Sequence, residues 1–378
     1  MRRPAVIMTM IVLGCGGSPP TPAPALPAVG RLAAGAGHTC VIDGAGVTHC
    51  WGSNVDGQLG DGADTDGLSP RVVAGPGGDR ALAAGSYHAC AITAERRVAC
   101  WGWNANGQIG DGSRQNQRQP FILDGLGGVE AIAAGSYHSC AVVSEGAARC
   151  WGHNDAGQLG DGSTIDRPAP VEVFSLPPAS AVAASGRHAC ALIKDATVQC
   201  WGENGDGQLG SGSTDPQSFP GPVVGVSDAV AVATGFNHSC ALRATGAVVC
   251  WGANSYGQLG DGTTAHQAAP VAVAGIATAV ALAAGYNHTC AALADGQLFC
   301  WGWNAGGQLG DGTTDDRATP VRVLAIDGVI AVAGGGFHTC AATAARALRC
   351  WGSNESGQLG DGTNTNHLLP TAVPELRM

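Results

Sequence analysis

The chain has 378 residues, including 60 glycines, 20 prolines and 15 cysteines, and only 13% of its residues are charged. Its formal net charge is −10, which argues against nucleic acid as a partner, because phosphate binding requires a basic surface. The length alone allows two or three domains, but an internal repeat makes most of the chain a single domain.

The first 29 residues differ from the rest. Residues 4–14, PAVIMTMIVLG, follow two arginines and form an apolar run of signal-peptide length, too short to span a bilayer as a helix. The stretch VLGC resembles the cleavage box of bacterial lipoproteins, in which the cysteine is lipidated. We predict a lipoprotein signal peptide at 1–14 and a lipidated Cys15 with a proline-rich tether at 15–29. This places the protein in the cell envelope, anchored by lipid and facing the periplasm or the exterior. An ordinary signal peptide with a chance cysteine is the alternative.

From residue 30 to residue 378 the sequence repeats every 50 residues, seven times. Each unit holds two cysteines, and Trp-Gly follows the second one. A fixed period of this length predicts stacked units that depend on their neighbours, so 30–378 is one domain.

The cysteine spacing predicts a disulfide within every unit. The first unit contains four candidate strands, GRLAA, HTCVID, VTHCWG and PRVV. A three-residue turn ending at Gly46 pairs residue 43 with residue 47, which places the two cysteines opposite each other. Cys-x9-Cys is not a usual zinc spacing, whereas disulfides persist outside the cytoplasm. The predicted pairs are Cys40–Cys50, Cys90–Cys100, Cys140–Cys150, Cys190–Cys200, Cys240–Cys250, Cys290–Cys300 and Cys340–Cys350.

Four strands in each of seven units predict an all-β fold, a seven-bladed β-propeller of four-stranded antiparallel blades whose two ends meet. The pattern AAGxxHxCA…GxVxCWGxNxxGQLGDGT…Px-V resembles the regulator of chromosome condensation repeat across all seven units. That resemblance implies the same seven-bladed propeller. The family usually has small or apolar residues at the two cysteine positions, so the paired cysteines are a departure that fits an exported version.

Several residues recur in every unit and are expected to build the scaffold. Trp51 and its counterparts are predicted to pack between blades. The recurring histidines are predicted to hydrogen-bond the local backbone, since a metal site needs several ligands around one ion; a ring of metal-binding histidines is the less favoured alternative. They are His38, His88, His138, His188, His238, His288 and His338. The stretch DGADTDG at 61–67 lacks the closing glutamate of a calcium loop. No metal or cofactor is expected.

Binding is expected where the copies differ. Positions 37 and 53 of each unit are predicted to be paired on one face, and the only two tryptophans outside the repeat, Trp103 and Trp303, occupy this place. Tyrosine, tryptophan and arginine are enriched at binding hot spots. Neutral variation at exposed loop tips is the alternative. The predicted binding rim is Tyr87, Trp103, Tyr137, His153, Arg187, Glu203, Tyr256, Asn287, Trp303 and Phe337.

No catalytic constellation is evident. The GQLGDG segments lack the lysine and the strand-to-helix context of a phosphate loop, and Glu203, Asp206 and Glu355 do not recur as a set. We therefore predict a non-enzymatic recognition propeller that binds a macromolecule, a protein rather than a polysaccharide. The family resemblance implies an alternative, a guanine-nucleotide exchange factor for a small GTPase. Propellers of the beta-lactamase-inhibitory type imply another, an inhibitor of an extracytoplasmic enzyme.

Overall fold

The structure, a computed structural model, describes residues 31–75 and 77–377. The predicted signal peptide, Cys15 and the tether lie outside the described residues. The rest forms seven four-stranded antiparallel sheets, one from each sequence unit, which are numbered here as blades 1 to 7. The predicted seven-bladed propeller is confirmed. Within the described residues, no helix is long and apolar enough to cross a membrane, and the helical structure consists of one 3₁₀ turn, Ser144–Gly146.

The four strands of a blade follow the chain outward from the central channel. The inner strands are β1 (Leu32–Ala34), β5 (Ala81–Ala84), β9 (Val129–Ala134), β13 (Ala179–Ser185), β17 (Ala229–Thr234), β21 (Ala279–Ala284) and β25 (Val329–Gly334). The second strands are β2 (His38–Ile42), β6 (His88–Ile92), β10 (His138–Val143), β14 (His188–Ile193), β18 (His238–Arg243), β22 (His288–Leu293) and β26 (His338–Thr343).

The third strands pair with the second strands and with the outer strands. They are β3 (Thr48–Gly52), β7 (Val98–Gly102), β11 (Ala148–Gly152), β15 (Val198–Gly202), β19 (Val248–Gly252), β23 (Leu298–Gly302) and β27 (Ala347–Gly352). The outer strands are β4 (Gly67–Val72), β8 (Gln117–Ile122), β12 (Arg167–Glu172), β16 (Gln217–Pro222), β20 (Gln267–Ala272), β24 (Arg317–Arg322) and β28 (His367–Arg377). Strand β4 begins earlier than the predicted PRVV segment, because Gly67 pairs with Gly52 beyond a bulge.

The hairpin between the second and third strands has the predicted register. Ile42 lies opposite Thr48 and Cys40 opposite Cys50, and the turn residue Gly46 has φ 82°. The same position has positive φ in every blade, including the non-glycine residues Arg96 and Ala196. The turn geometry therefore depends on the loop length, and glycine is only its easiest occupant.

All seven predicted disulfides are present. Their S–S distances are 2.04–2.11 Å and their Cα–Cα distances 4.0–4.1 Å. Backbone hydrogen bonds join residue 43 to residue 47 and residue 53 to residue 37. Hydrogen-bonded and non-hydrogen-bonded pairs alternate along an antiparallel ladder, so residues 40 and 50 form a non-hydrogen-bonded pair. Directly opposed Cα atoms are closest at such pairs, which explains why every unit can form the same bridge.

The ring closes between blade 7 and blade 1 through the contacts that join the other blades. Leu32 of the first strand and Val373 of the last lie in one buried cluster. The Gly336 amide donates to the Gly35 carbonyl at 2.9 Å. The two ends of the repeat meet as predicted, but β1 is the innermost strand of blade 1 and β28 the outermost strand of blade 7, so these strands do not pair.

Each interface between blades has its own apolar core. The core combines the disulfide of one blade with the tryptophan of the next, as with Cys40, Cys50 and Trp101. All seven recurring tryptophans are fully buried, and the indole of Trp101 donates to the Gln58 carbonyl of the preceding blade at 2.9 Å. Gly60 permits this approach, since a Cβ there would lie 2.8 Å from Trp101 Nε1. The predicted packing role of the tryptophans is confirmed.

A second hydrogen-bonded contact crosses five of the seven interfaces and involves the recurring histidines. The Ser139 hydroxyl donates its proton to the Gln108 carbonyl of the preceding blade at 2.9 Å. Because a hydroxyl has only one proton, Ser139 accepts the bond from His88 Nε2 at 2.8 Å. The predicted bond between histidine and local backbone is therefore wrong, because the ring reaches a hydroxyl on the next blade. The five hydroxyls are Thr39, Ser139, Ser239, Thr289 and Thr339.

Two interfaces lack this hydroxyl, because Ala89 and Ala189 occupy its position. The Nε2 atoms of His38 and His138 consequently have no hydrogen-bond partner among the described residues, whereas Nδ1 has none in any of the seven histidines. Ala89→Ser should give His38 Nε2 its missing partner and the Gln58 carbonyl a second donor, and it should raise the free energy of unfolding by about 1 kcal/mol. Urea denaturation measures this change. The matched control, Ala91→Ser, places a hydroxyl in the apolar core of the same interface and should lower stability; equal losses for both variants would contradict the account.

Candidate recognition face

One face of the ring is built by the loops that precede the second strands and follow the third strands. In every blade the amide of position 53 donates to the carbonyl of position 37 at 2.8–3.0 Å, for example from Trp103 to Tyr87. This bond holds the two variable side chains of a unit next to each other at the end of a rigid hairpin. The predicted pairing of these positions is present in all seven blades.

Four rim side chains form a continuous group that we call the blade 2–3 cluster: Tyr87, Trp103, Tyr137 and His153. The ring centroids of Trp103 and Tyr137 are 5.3 Å apart, and those of Tyr87 and Trp103 are 6.0 Å apart. His153 lies edge-on to Tyr137 at 6.1 Å. Tyr87 is 39% exposed although Trp103 and Tyr137 pack against it, so the cluster presents apolar surface to solvent.

Five further rings form the blade 5–7 cluster: Phe236, Tyr256, Tyr286, Trp303 and Phe337. Trp303 packs against Phe337 at 5.3 Å and against Tyr256 at 6.2 Å. Tyr286 links Phe337 at 5.5 Å to Phe236 at 5.0 Å. Phe236, Tyr256 and Phe337 are each 37–40% exposed. Trp303 therefore joins Tyr256 to the rest of a larger aromatic surface.

Tyr286 joins the two sides of the face. Its hydroxyl lies 2.6 Å from Ser86 Oγ, on the opposite side of the central mouth. Burial raises the pKa of Tyr286 to about 12, with its bond to Ser86 opposing that rise, so the phenol stays protonated at neutral pH. The ring lines the mouth of the central channel together with small residues of the other blades.

Sequence reasoning did not identify Phe236 and Tyr286. Both occupy position 36 of their units, where the copies also differ. The seven residues at this position are Ala36, Ser86, Ser136, Gly186, Phe236, Tyr286 and Gly336. The variation criterion that selected positions 37 and 53 would have selected this one as well.

A polar sector separates the clusters on the side of blades 3 to 5. Arg187 Nε donates to Asp155 at 3.1 Å, and its guanidinium lies 3.6 Å from Glu203. The Asn237 side chain donates to Asp206 at 2.8 Å. The predicted rim residues Arg187 and Glu203 thus share an ion-pair network, whereas Asn287 supplies the carbonyl that holds Trp303.

A shallow groove of about 220 Å³ lies on the other side, where blade 1 carries only small rim residues. Tyr87 and Phe337 line its two ends, and Gly37, Ser53 and Glu355 lie between them. The groove connects the two aromatic clusters, so the apolar surface continues around blade 1.

No group of three or more His, Cys, Asp or Glu side chains converges in residues 31–75 and 77–377. In the DGADTDG stretch, the Asp61 carboxylate already accepts bonds from Asn54, from the Ala63 amide and from Arg71.

Three family models match the chain. Two models of the regulator of chromosome condensation (RCC1) repeat match it, one over residues 45–92 and 97–142 and the other over residues 80–108. The RCC1-like domain matches residues 124–378, about two thirds of the chain. The chain belongs to the RCC1-like domain family. No curated protein sequence matches it.

Solved structures confirm the RCC1-like fold at low sequence identity. Prp20p from Saccharomyces cerevisiae is similar with a TM-score of 0.77 and 24% identity, over 86% of this chain and 85% of Prp20p. Human WBSCR16 has a TM-score of 0.76 and 22% identity, over 85% and 92%. The CRINKLY WD40 ectodomain of the Arabidopsis thaliana receptor kinase ACR4 has a TM-score of 0.53 and 21% identity, over 91% and 98%.

Proposed function

We propose that this RCC1-like chain is a non-enzymatic, lipid-anchored recognition propeller of the cell envelope, which binds a protein through the aromatic face. The observation that carries the proposal is the distribution of aromatic side chains. The tryptophans shared by all units are fully buried, whereas eight of the twelve other Phe, Tyr and Trp side chains gather on one face, where several remain more than a third exposed. Exposed aromatic groups of this kind are typical of hot spots in protein interfaces.

The size of the aromatic face favours a macromolecular ligand. Its two clusters lie on different blades around the central mouth and are joined by Tyr286 and by the groove of blade 1. A ligand that covers both clusters must span the mouth, which suits a protein better than a small sugar. The similar protein Prp20p binds Gsp1p and histones, so propellers of this shape can carry protein-binding surfaces.

The compartment is inferred from the cysteines. Seven buried disulfides fit an oxidising compartment, and the VLGC segment fits lipidation at Cys15. Both features argue against the alternative function, a guanine-nucleotide exchange factor, because a cytoplasmic GTPase would not be present in that compartment. An inhibitor of an extracytoplasmic enzyme would use the same face and is a special case of the proposal.

The anchor has a direct test. Intact-mass analysis of the mature protein, purified from the membrane fraction, should give a chain that begins at Cys15 and carries diacylglycerol. A mature chain that begins elsewhere, or that has no lipid mass, would contradict the anchor. That outcome would leave the aromatic face unaffected.

The aromatic face is tested by two substitutions. Trp103→Ala and Trp303→Ala should each weaken binding to the envelope partner by about 30-fold, because a hot-spot aromatic contributes 2 kcal/mol or more. Surface plasmon resonance measures the affinity, and thermal unfolding checks that the fold is retained. Phe174→Ala is the matched control, because this ring is 57% exposed but lies outside the face. Equal affinity of all three variants would contradict the proposal.

A further inference from the structure

The interface between blades 1 and 2 differs from the others on the face opposite the aromatic clusters. Thr48 occupies a buried position whose counterparts are apolar: Val98, Ala148, Val198, Val248, Leu298 and Leu348. Asp79, which is only partly buried, aligns in sequence with Val129, Ala179, Ala229, Ala279 and Val329, all of which are buried. The repeat thus supplies internal controls, and two polar residues have replaced apolar ones at a single interface.

The two polar residues contact each other. Thr48 Oγ1 donates to Asp79 Oδ2 at 2.6 Å. Strand β5 begins only at Ala81, whereas strands β9, β13, β17, β21 and β25 begin at the position equivalent to Asp79. Asp79 therefore lies before its sheet and is not packed into it as an apolar residue would be.

A groove of about 190 Å³ opens beside this pair. Its walls are mostly apolar and include Val73, Ala91, Trp101 and Ile122, with the hydroxyls of Thr48 and Thr93 among them. The Asp79 carboxylate also lines the groove. The groove combines an apolar channel with a single negative charge.

The carboxylate lacks a counter-charge within residues 31–75 and 77–377, where Asp79 forms no ion pair. Burial raises the pKa of Asp79, the bond from Thr48 opposes this rise, and the charge of Glu95 adds to it. A half-buried charge without a partner lowers stability. A cation that entered the groove would remove this cost.

We propose that the groove binds a lysine side chain of a partner protein. The alkyl arm would lie along the apolar walls, and the ammonium group would meet Asp79 Oδ1 and the threonine hydroxyls, which offer several acceptors for its three donors. A guanidinium fits less well, because its bidentate bond needs both carboxylate oxygens and would have to share Oδ2 with the Thr48 hydroxyl. The site lies on the opposite face from the aromatic clusters, so it does not depend on the proposed function.

The test titrates the mature chain with Nα-acetyl-lysine N-methylamide and records amide chemical shifts by NMR. We expect saturable shifts at blades 1 and 2. The norleucine analogue, which has no charge, and the arginine analogue should bind at least 10-fold more weakly. Equal binding of the norleucine analogue, or no saturable shift with the lysine probe, would overturn the proposal. Tighter binding of free cadaverine than of the lysine probe would also overturn it, since the ligand would then be a free diamine.

Two substitutions separate binding from structure. Asp79→Asn keeps a hydrogen-bond acceptor for Thr48. It should weaken binding of the lysine probe at least 10-fold without lowering the thermal unfolding temperature. The double variant Thr48→Val with Asp79→Val restores the residue types of the other units at both positions without leaving the Thr48 hydroxyl unpaired, so it should abolish binding and raise the unfolding temperature. Asp195→Asn, at an exposed hairpin turn, should change neither. Binding that is unchanged in Asp79→Asn would overturn the proposal.

Discussion

Loss of the seven disulfides is expected to prevent the chain from folding. Each disulfide closes a short loop and contributes roughly 3 kcal/mol in the chain-entropy model, and seven of them sum to about 20 kcal/mol. A typical protein is stable by only about 5–15 kcal/mol. The packing that remains in the alanine-rich blades should therefore be too weak to stabilise the native fold without the disulfides.

The measurement requires unfolding first, because the cysteines are completely buried and a reductant cannot reach them in the native ring. The chain is reduced in denaturant, its thiols are blocked with iodoacetamide, and the denaturant is removed. We expect no near-ultraviolet circular dichroism and no cooperative thermal transition. The oxidised chain, taken through the same denaturant cycle, is the control. A cooperative transition of the blocked chain near the native temperature would contradict this prediction.

Acid is expected to unfold the oxidised propeller above pH 4. Burial, aided in most cases by neighbouring histidines, lowers the pKa of the seven recurring histidines from 6.5 to about 3 or 4. The unfolded chain therefore binds more protons than the native ring between pH 6.5 and about pH 4, so stability falls as the pH falls through this range. Each histidine lowers the free energy of unfolding by up to about 1.4 kcal/mol for each pH unit of acidification, and the effects of the seven histidines add up.

Calorimetry in buffers of different ionisation enthalpy measures the protons taken up on unfolding. At pH 5 we expect these histidines to take up six to seven protons on unfolding. Each binds roughly one proton in the unfolded state and almost none in the native state. The carboxylates act in a lower window. Burial raises the pKa of Asp61, but bonds from the Ala63 amide and from Arg71 lower it below 3.8 overall, so its stabilisation is lost only below that value. An uptake near zero at pH 5 would contradict the account.

Most of the fold could be predicted because the repeat fixes it. A strict 50-residue period and the turn at Gly46 determine the hairpin register, and the register determines which cysteines meet. Trp51 could be assigned to the interface because an invariant tryptophan beside an invariant glycine needs a constant partner. The rim positions followed from the same strand directions, and the bonds from position 53 to position 37 hold them next to each other in every blade.

Contacts between units were beyond the sequence argument. His88 and Ser139 are 51 residues apart, and only the geometry of neighbouring blades shows that a hydroxyl of one blade faces the histidine of another. The Tyr286 bond to Ser86 crosses the central mouth, which no local pattern encodes. The Thr48–Asp79 pair was missed for a different reason. A change in one of seven units cannot be distinguished from neutral variation in the sequence, and only the structure shows the groove beside it.

The central claim is that this RCC1-like propeller recognises its partner through the aromatic face. The most direct measurement places a photo-reactive phenylalanine analogue at Tyr87 or Phe337, which line the blade 1 groove, and at the exposed Phe174, which lies outside the face. After illumination of intact cells, we predict the same covalent adduct from Tyr87 and Phe337 and its absence from Phe174. An adduct formed at Phe174 but at neither rim position would contradict the claim.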